Sequence, residues 1–151
     1  MSETSAPTPT RNGDYTAAFL LLRLFLGLRT FLAGLEKFEA GGKYTFENYT
    51  ANMARMASGI TGASFLPLWA TRNFALSLGP LLLLFGALLL LGLKTRLTLQ
   101  LTGLLYVGLS FGLMAVQESE GVAWLGLHIV MFAAALVLVR HNRFALWADK
   151  N

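Results

Sequence analysis

Residues 73–93 read NFALSLGPLLLLFGALLLLGL and contain no Asp, Glu, Lys or Arg. About 20 consecutive apolar residues are enough to cross the hydrocarbon core of a bilayer as a helix. Backbone N–H and C=O groups in that environment must bond to each other, and a single helical segment achieves this. The stretch therefore predicts a membrane-spanning helix. Pro80 lies in its first half and predicts a kink or a local opening of that helix.

Three further apolar stretches lie at residues 16–38, 97–116 and 122–139. The whole chain is 55% hydrophobic and 13% charged, whereas soluble domains carry about 25% charged residues. The links at residues 94–96 and 117–120 are too short to cross the membrane, so the spans that they join must be antiparallel. The sequence predicts an all-α, integral membrane four-helix up-down bundle at residues 15–147, with a disordered cytoplasmic tail at 1–14 and a second cytoplasmic tail at 148–151.

The loop at residues 39–72 carries an amphipathic segment. Its larger apolar residues recur at steps of three and four, which predicts a helix at the membrane interface. They are Phe46, Tyr49, Met53, Met56 and Ile60. Gly41-Gly42 is predicted to end the first helix. The segment is either a plain lid on the mouth of the bundle or a gate for a substrate, and the sequence favours neither.

Basic residues near the spans predict the orientation, because cytoplasmic loops carry an excess of Lys and Arg. One side of the bundle has Arg11, Lys94, Arg96, Arg140, Arg143 and Lys150, and the other has Lys37, Lys43, Arg55 and Arg72. This bias places both termini and the 94–96 turn in the cytoplasm. Because the basic residues lie at the ends of apolar segments, we expect the bilayer as a partner and no nucleic acid.

The chain contains no cysteine. This excludes thiol catalysis, disulfide exchange and iron–sulfur ligation by the chain itself. We expect no metal site and no covalently bound cofactor. Haem ligation by His128 with Met114 or Met131 is the least favoured alternative.

Four polar residues fall inside predicted spans or at their ends, where they cost free energy and need an explanation. Arg29, Glu36, Tyr106 and His128 are predicted to converge in the outer half of the bundle, closed above by Glu36 or by the acids of the 117–120 link. They form a binding pocket for a polar head group, such as that of a quinone, a proton relay, or an internal network that fixes the register of the helices. Arg23 is predicted to snorkel toward the cytoplasmic surface.

Small residues form a second pattern along the spans. Gly108 and Gly112 are spaced as G-x-x-x-G, which allows close approach of another helix. Gly27 and Gly34 lie on one face of the first span, and Gly86 lies in the second. We expect these glycines to pack the bundle.

The motifs Arg23-Leu-Phe-Leu-Gly27 and Gly34-Leu-Glu-Lys37-Phe38 resemble the first-helix signature of the DoxX/DoxD-like family of small membrane proteins. The stretch from Gly86 to Gly92-Leu-Lys-Thr-Arg96 is similar to the glycine-rich second span of that family. By this match Arg23, Gly27, Gly34, Lys37, Gly86 and Arg96 are the family positions. One difference lies early in the second span, where relatives often carry a Glu and this chain reads Leu-Gly-Pro-Leu-Leu at residues 78–82.

The resemblance implies a bundle in the cytoplasmic (inner) membrane of a prokaryote. The family includes the small subunit of thiosulfate:quinone oxidoreductase, so it implies a membrane subunit of a quinone-linked oxidoreductase, with quinone as the bound molecule and other subunits as partners. No catalytic residue is predicted. The alternatives are a non-catalytic accessory or assembly subunit of another membrane complex and a carrier of a small solute or of protons.

The predicted topology can be tested by cysteine labelling. Because the chain has no cysteine, a single cysteine at Lys94 or at Ser119 can be labelled without background. In intact cells a membrane-impermeant maleimide should react with the cysteine at 119 and reach the one at 94 only after permeabilisation. Labelling of both from the same side contradicts the topology.

Overall fold

The computed structural model describes residues 10–147, with side chains from residue 13 onward. The helices are α1 (Thr10–Glu36), α2 (Phe46–Ala63), α3 (Leu68–Leu91), α4 (Thr95–Ala115) and α5 (Ser119–Leu138), followed by a short 3-10 helix (Val139–His141). Two short strands, β1 (Glu39–Ala40) and β2 (Lys43–Tyr44), form a hairpin between α1 and α2. Four of the helices, α1, α3, α4 and α5, are long and apolar enough to cross a membrane. The all-α membrane bundle is confirmed.

The ends of α1 differ from those predicted. The helix begins at Thr10, so residues 10–14 are helical rather than part of a tail. It ends at Glu36, before the Gly41-Gly42 pair. Both glycines have positive φ, at 59° and 77°, and form the turn of the hairpin, a conformation that glycine adopts at little cost. The rest of the two predicted tails, residues 1–9 and 148–151, lies outside the described residues.

The four spanning helices surround a core of aliphatic and aromatic side chains. Helix α1 lies beside α3 and α5, and α4 lies beside α3 and α5, so consecutive spans are neighbours as the short links require. Helix α2 packs across α3 and also contacts α4. The fully buried core side chains include Leu26, Leu78, Leu82, Leu99 and Phe132. Many other Leu, Phe and Val side chains are exposed on the outside, as expected for a surface that faces lipid.

The closest approach between spans lies between α1 and α3, at glycines. A Cβ on Gly86 would lie 2.5 Å from the backbone nitrogen of Phe31. A Cβ on Gly34 would lie 2.9 Å from the backbone nitrogen of Leu83, and one on Gly27 would lie 3.1 Å from that of Leu90. These glycines therefore bring the two helices into backbone contact in a regular antiparallel register. We call this contact the glycine seam.

The G-x-x-x-G pair of α4 makes a looser contact. A Cβ on Gly112 would meet the side chain of Ile60 from α2 at 3.1 Å, and one on Gly108 would meet the ring of Phe74 from α3 at 3.4 Å. The pair packs against other helices as predicted, but through their side chains. The approach is less close than in the glycine seam, because the glycines of α4 face large side chains and those of the seam face backbone atoms.

We expect Gly86→Ala to destabilise the bundle. The added methyl group would overlap the backbone of α1, which cannot rotate away as a side chain can, and such overpacking typically costs about 1–3 kcal/mol. The matched control is Gly126→Ala in α5, where a Cβ would meet nothing within 4 Å. Thermal unfolding in detergent should show a lower midpoint for the first variant only. Equal midpoints would show that the seam can separate without cost.

Candidate functional site

A cavity of about 590 Å³ lies between the C-terminal end of α1, the C-terminal half of α4 and the N-terminal half of α5. Helix α2 covers it and Leu82 of α3 closes its inner wall. Most of the lining is apolar, and Trp124, one of the lining residues, is partly exposed. Cavities of roughly 300–1,000 Å³ with an apolar lining and a few polar groups are typical binding sites for small molecules.

All four sequence-predicted pocket residues line this cavity. Arg29 and Glu36 come from α1, Tyr106 comes from α4 and His128 comes from α5. The acids of the 117–120 link, the alternative closure, are not among the lining residues, and Glu36 occupies that position. The convergence follows from the antiparallel bundle, which brings the end of α1 beside the start of α5.

The outer part of the cavity is charged. Arg29 Nη1 lies 3.4 Å from Glu36 Oε1, two helical turns further along α1, and the two side chains remain 43% and 63% exposed. Lys37 lies next to them in the lining, and burial lowers the pKa of its ammonium group, an effect that the Glu36 carboxylate opposes. This part of the lining therefore combines two cationic groups and one carboxylate. The pairing of Arg29 with Glu36 lowers the cost of the charge within the span.

The inner part of the cavity is formed by a tyrosine and a histidine. The Tyr106 hydroxyl lies 3.2 Å from Thr30 Oγ1 of α1, within hydrogen-bond distance and fully inside the bundle. The Tyr106 ring lies 5.6 Å from the His128 ring, and the Phe25 ring stacks on the histidine at 6.2 Å. His128 is 8% exposed. Its ring is therefore buried and packed against two aromatic neighbours.

The hydrogen bonds of His128 are incomplete. Its Nδ1 lies 2.7 Å from the carbonyl oxygen of Trp124, one turn earlier in α5. A carbonyl oxygen only accepts, so Nδ1 carries the proton and donates it. The Nε2 atom is buried and has no partner among the described residues. A neutral imidazole protonated at Nδ1 thus has an unused acceptor at Nε2.

Pro80 explains how α2 is attached over the cavity. Proline has no N–H, so the carbonyl of Leu76, four residues earlier in α3, loses its helical partner. The Tyr49 hydroxyl of α2 donates a hydrogen bond to that carbonyl oxygen at 2.6 Å and accepts one from the Gly79 N–H at 3.3 Å. A Cβ at Gly79 would lie 2.5 Å from the Tyr49 ring, so only glycine leaves room for it. Helix α3 itself continues through Pro80.

The amphipathic segment is a helix, but it packs against the bundle. Tyr49, Met53 and Ile60 are buried against it, whereas Phe46 is 78% exposed and does not belong to the packed face. Asn52 lines the cavity and donates hydrogen bonds to the carbonyl oxygens of Lys37 and Glu39, which ties α2 to the end of α1. Asn52 was not predicted from the sequence, although its place three residues after Tyr49 puts it on the same helical face.

Arg23 lies at the other end of the bundle and does not snorkel, so that prediction was wrong. It is 4% exposed, and its Nη1 donates to the Asn142 side chain at 2.8 Å and to the Phe144 carbonyl at 2.6 Å. Asn142 in turn donates to Thr95 Oγ1 at 2.9 Å. The segment after α5 folds back to supply these acceptors, which a helix-by-helix reading of the sequence does not include.

The other positions singled out by the sequence resemblance lie at three places in the bundle. Gly27, Gly34 and Gly86 form the glycine seam, Lys37 lines the cavity, and Arg96 is exposed at the start of α4, at the end of the bundle away from the cavity.

No protein-family model, curated protein or solved structure matches the chain at a significant level. Within residues 10–147, no group of three or more His, Asp or Glu side chains could hold a metal ion.

We expect Tyr49→Phe to loosen α2. The substitution leaves the Leu76 carbonyl oxygen without its partner, which typically costs about 1–3 kcal/mol in a buried setting. Burial raises the pKa of Tyr49, so the stabilisation is complete below the pKa of about 10 of an exposed tyrosine and is lost as the pH rises further. Tyr44→Phe, at a residue that is 64% exposed, is the control.

Thermal unfolding in detergent and limited proteolysis of α2 measure the effect. At neutral pH, the Tyr49 variant should melt earlier and be cut faster within residues 46–63 than the Tyr44 variant. If both variants behave as wild type, the hydrogen bond does not hold α2 in place.

Proposed function

We propose that the protein is a membrane subunit of a quinone-linked oxidoreductase and that its cavity holds the polar ring of a quinone. The observation that carries this proposal is the convergence of Arg29, Tyr106 and His128 on one apolar cavity at one end of the bundle. These residues come from three different helices, so the arrangement is a property of the assembled bundle. A ring with two oxygen atoms and an apolar tail matches an apolar lining with polar groups at both its outer and inner parts.

The chemistry of the lining fits such a ring. Met53, Met56, Leu109, Leu113 and Leu125 provide apolar contact for its faces and for the start of its tail. The Arg29 guanidinium has five N–H donors, and its contact with Glu36 uses only one nitrogen. Its other donors are free to bond a ring oxygen in a site where water is partly excluded, which strengthens the bond. Glu36 then keeps Arg29 in position beside the cavity.

The proposal assigns the electron-transferring group to a partner subunit. The chain has no cysteine, and the described residues contain no cluster of His, Asp and Glu side chains suited to a metal. Its own residues can bind, orient and shield a ring and can exchange hydrogen bonds with it. The resemblance of the Arg23–Phe38 and Gly86–Arg96 motifs to the DoxX/DoxD-like family supports the same function, and with it a location in the inner membrane of a prokaryote.

Arg29→Gln tests the proposal. Losing a hydrogen bond from a charged donor costs about 1.5–3 kcal/mol, so a short-chain benzoquinone should bind at least about 10-fold more weakly to the variant. Trp124 lines the cavity and provides the signal, because a quinone bound there should quench its fluorescence. The measurement uses the protein in lipid nanodiscs, with Arg72→Gln, an exposed residue at the start of α3, as the matched control.

Two results would count against the proposal. If benzoquinone does not quench Trp124 in the wild type, the cavity is not a quinone site and a role in assembly is favoured. If Arg29→Gln lowers the unfolding temperature but leaves the affinity per folded molecule unchanged, Arg29 is structural. A Trp124→Phe variant shows whether the quenching comes from the cavity or from Trp69 and Trp147.

A further inference from the structure

The unused acceptor of His128 suggests which redox form of a ring the cavity prefers. Nε2 is buried and unpartnered, although buried polar atoms in folded proteins almost always have a partner. Nδ1 cannot exchange roles with it, because the Trp124 carbonyl oxygen at 2.7 Å requires a donor. A molecule that satisfies Nε2 must therefore bring its own N–H or O–H group.

Nearby protein donors do not fill this role. The Tyr106 hydroxyl is the closest aromatic hydroxyl to the imidazole ring in the described part of the cavity, and it is paired with Thr30 Oγ1 at 3.2 Å. The neighbouring ring of Phe25 has no donor. Arg29 also lines the cavity, but it pairs with Glu36 and makes no hydrogen bond to His128. His128 thus lines the cavity with a buried acceptor, Nε2, for which the described residues supply no donor.

We propose that His128 Nε2 accepts a hydrogen bond from a ring hydroxyl, so that the cavity binds a hydroquinone in preference to the corresponding quinone. This inference rests on the proposed function and adds the redox form to it. A quinone has two carbonyl oxygens, which only accept hydrogen bonds. A carbonyl oxygen placed against Nε2 would bring two acceptors together with no proton between them, which is unfavourable. A hydroquinone has two hydroxyls, one of which donates to Nε2 while the oxygen of the other accepts from Arg29.

Three ring compounds of the same substitution pattern separate these cases. They are a hydroquinone, its quinone and its dimethyl ether, which keeps the ring and the oxygens but has no O–H. Binding of the hydroquinone and of the ether is measured anaerobically in nanodiscs through Trp124 fluorescence. All three compounds are then compared by competition against a reporter quinone. The wild type should bind the hydroquinone about 10-fold more tightly than the ether or the quinone, the ratio expected for about 1.4 kcal/mol.

His128→Phe is the decisive variant. It keeps an aromatic ring beside Phe25 and Tyr106 and removes the acceptor. In this variant the preference for the hydroquinone over the quinone should fall to less than about twofold, a difference of under 0.4 kcal/mol. His141→Phe replaces the other histidine of the chain, which stacks on Tyr15 at the end of the bundle away from the cavity, and should leave the preference intact.

Nitrogen NMR of the His141→Phe protein gives an independent readout, because its remaining histidine is His128. Nε2 should be unprotonated in the free protein and should change its shift with the hydroquinone and not with the ether. A protonated Nε2 in the free neutral imidazole overturns the proposal. Equal binding of the hydroquinone and the ether by the wild type also overturns it, and so does a preference for the hydroquinone that survives in His128→Phe. Binding of none of the three compounds overturns the proposed function itself, whereas binding of all three with equal affinity overturns only this inference.

Discussion

The contact between α1 and α3 is the most extensive between any two described helices, and the other elements pack around this pair. Because Gly86 faces the backbone of Phe31, and Gly27 and Gly34 face the backbone of α3, the two helices approach more closely than side chains would allow. Apolar side chains gain little by leaving lipid for a protein interior, so this close packing is a main source of stability in the bundle. Helix α1 is held against α3, and its last turns line a cavity that α4 and α5 complete on the other side.

The roof of that cavity depends on a defect in α3. Pro80 leaves the Leu76 carbonyl without a partner, and an unsatisfied carbonyl is expensive inside a membrane. The Tyr49 hydroxyl supplies the missing bond, and Gly79 leaves room for its ring. This hydrogen bond therefore completes the backbone of α3 and, together with the Asn52 bonds to the Lys37 and Glu39 carbonyls, holds α2 over the candidate site. A proline that would weaken an isolated span serves here as the attachment point of a separate helix.

The polar groups at the two ends of the bundle differ in the hydrogen-bond partners that the protein gives them. At one end, Arg23 is enclosed and its Nη1 bonds to Asn142 and to the Phe144 carbonyl, which fixes the segment after α5 against the bundle. At the other end, Arg29 is half exposed, and His128 has an acceptor for which the described residues provide no donor. The Nε atom of Arg23 is also buried without a partner among the described residues, so an open bond by itself does not mark a binding residue. His128 differs from Arg23 because it also lines the cavity, where a ligand can supply the missing partner.

The sequence by itself determined the four spans, because their length and lack of charge leave helix as the only way to satisfy the backbone in lipid. It also predicted that Arg29, Glu36, Tyr106 and His128 would share one pocket, since antiparallel spans and a fixed rise per residue place them at similar depth. Only the tertiary structure showed that Arg23 is enclosed by the segment after α5, and that α2 attaches through the carbonyl freed by Pro80. Only the structure showed which imidazole nitrogen is unused. These features depend on contacts between residues far apart in the chain, and helical periodicity records which face a residue occupies but not which partner will lie against it.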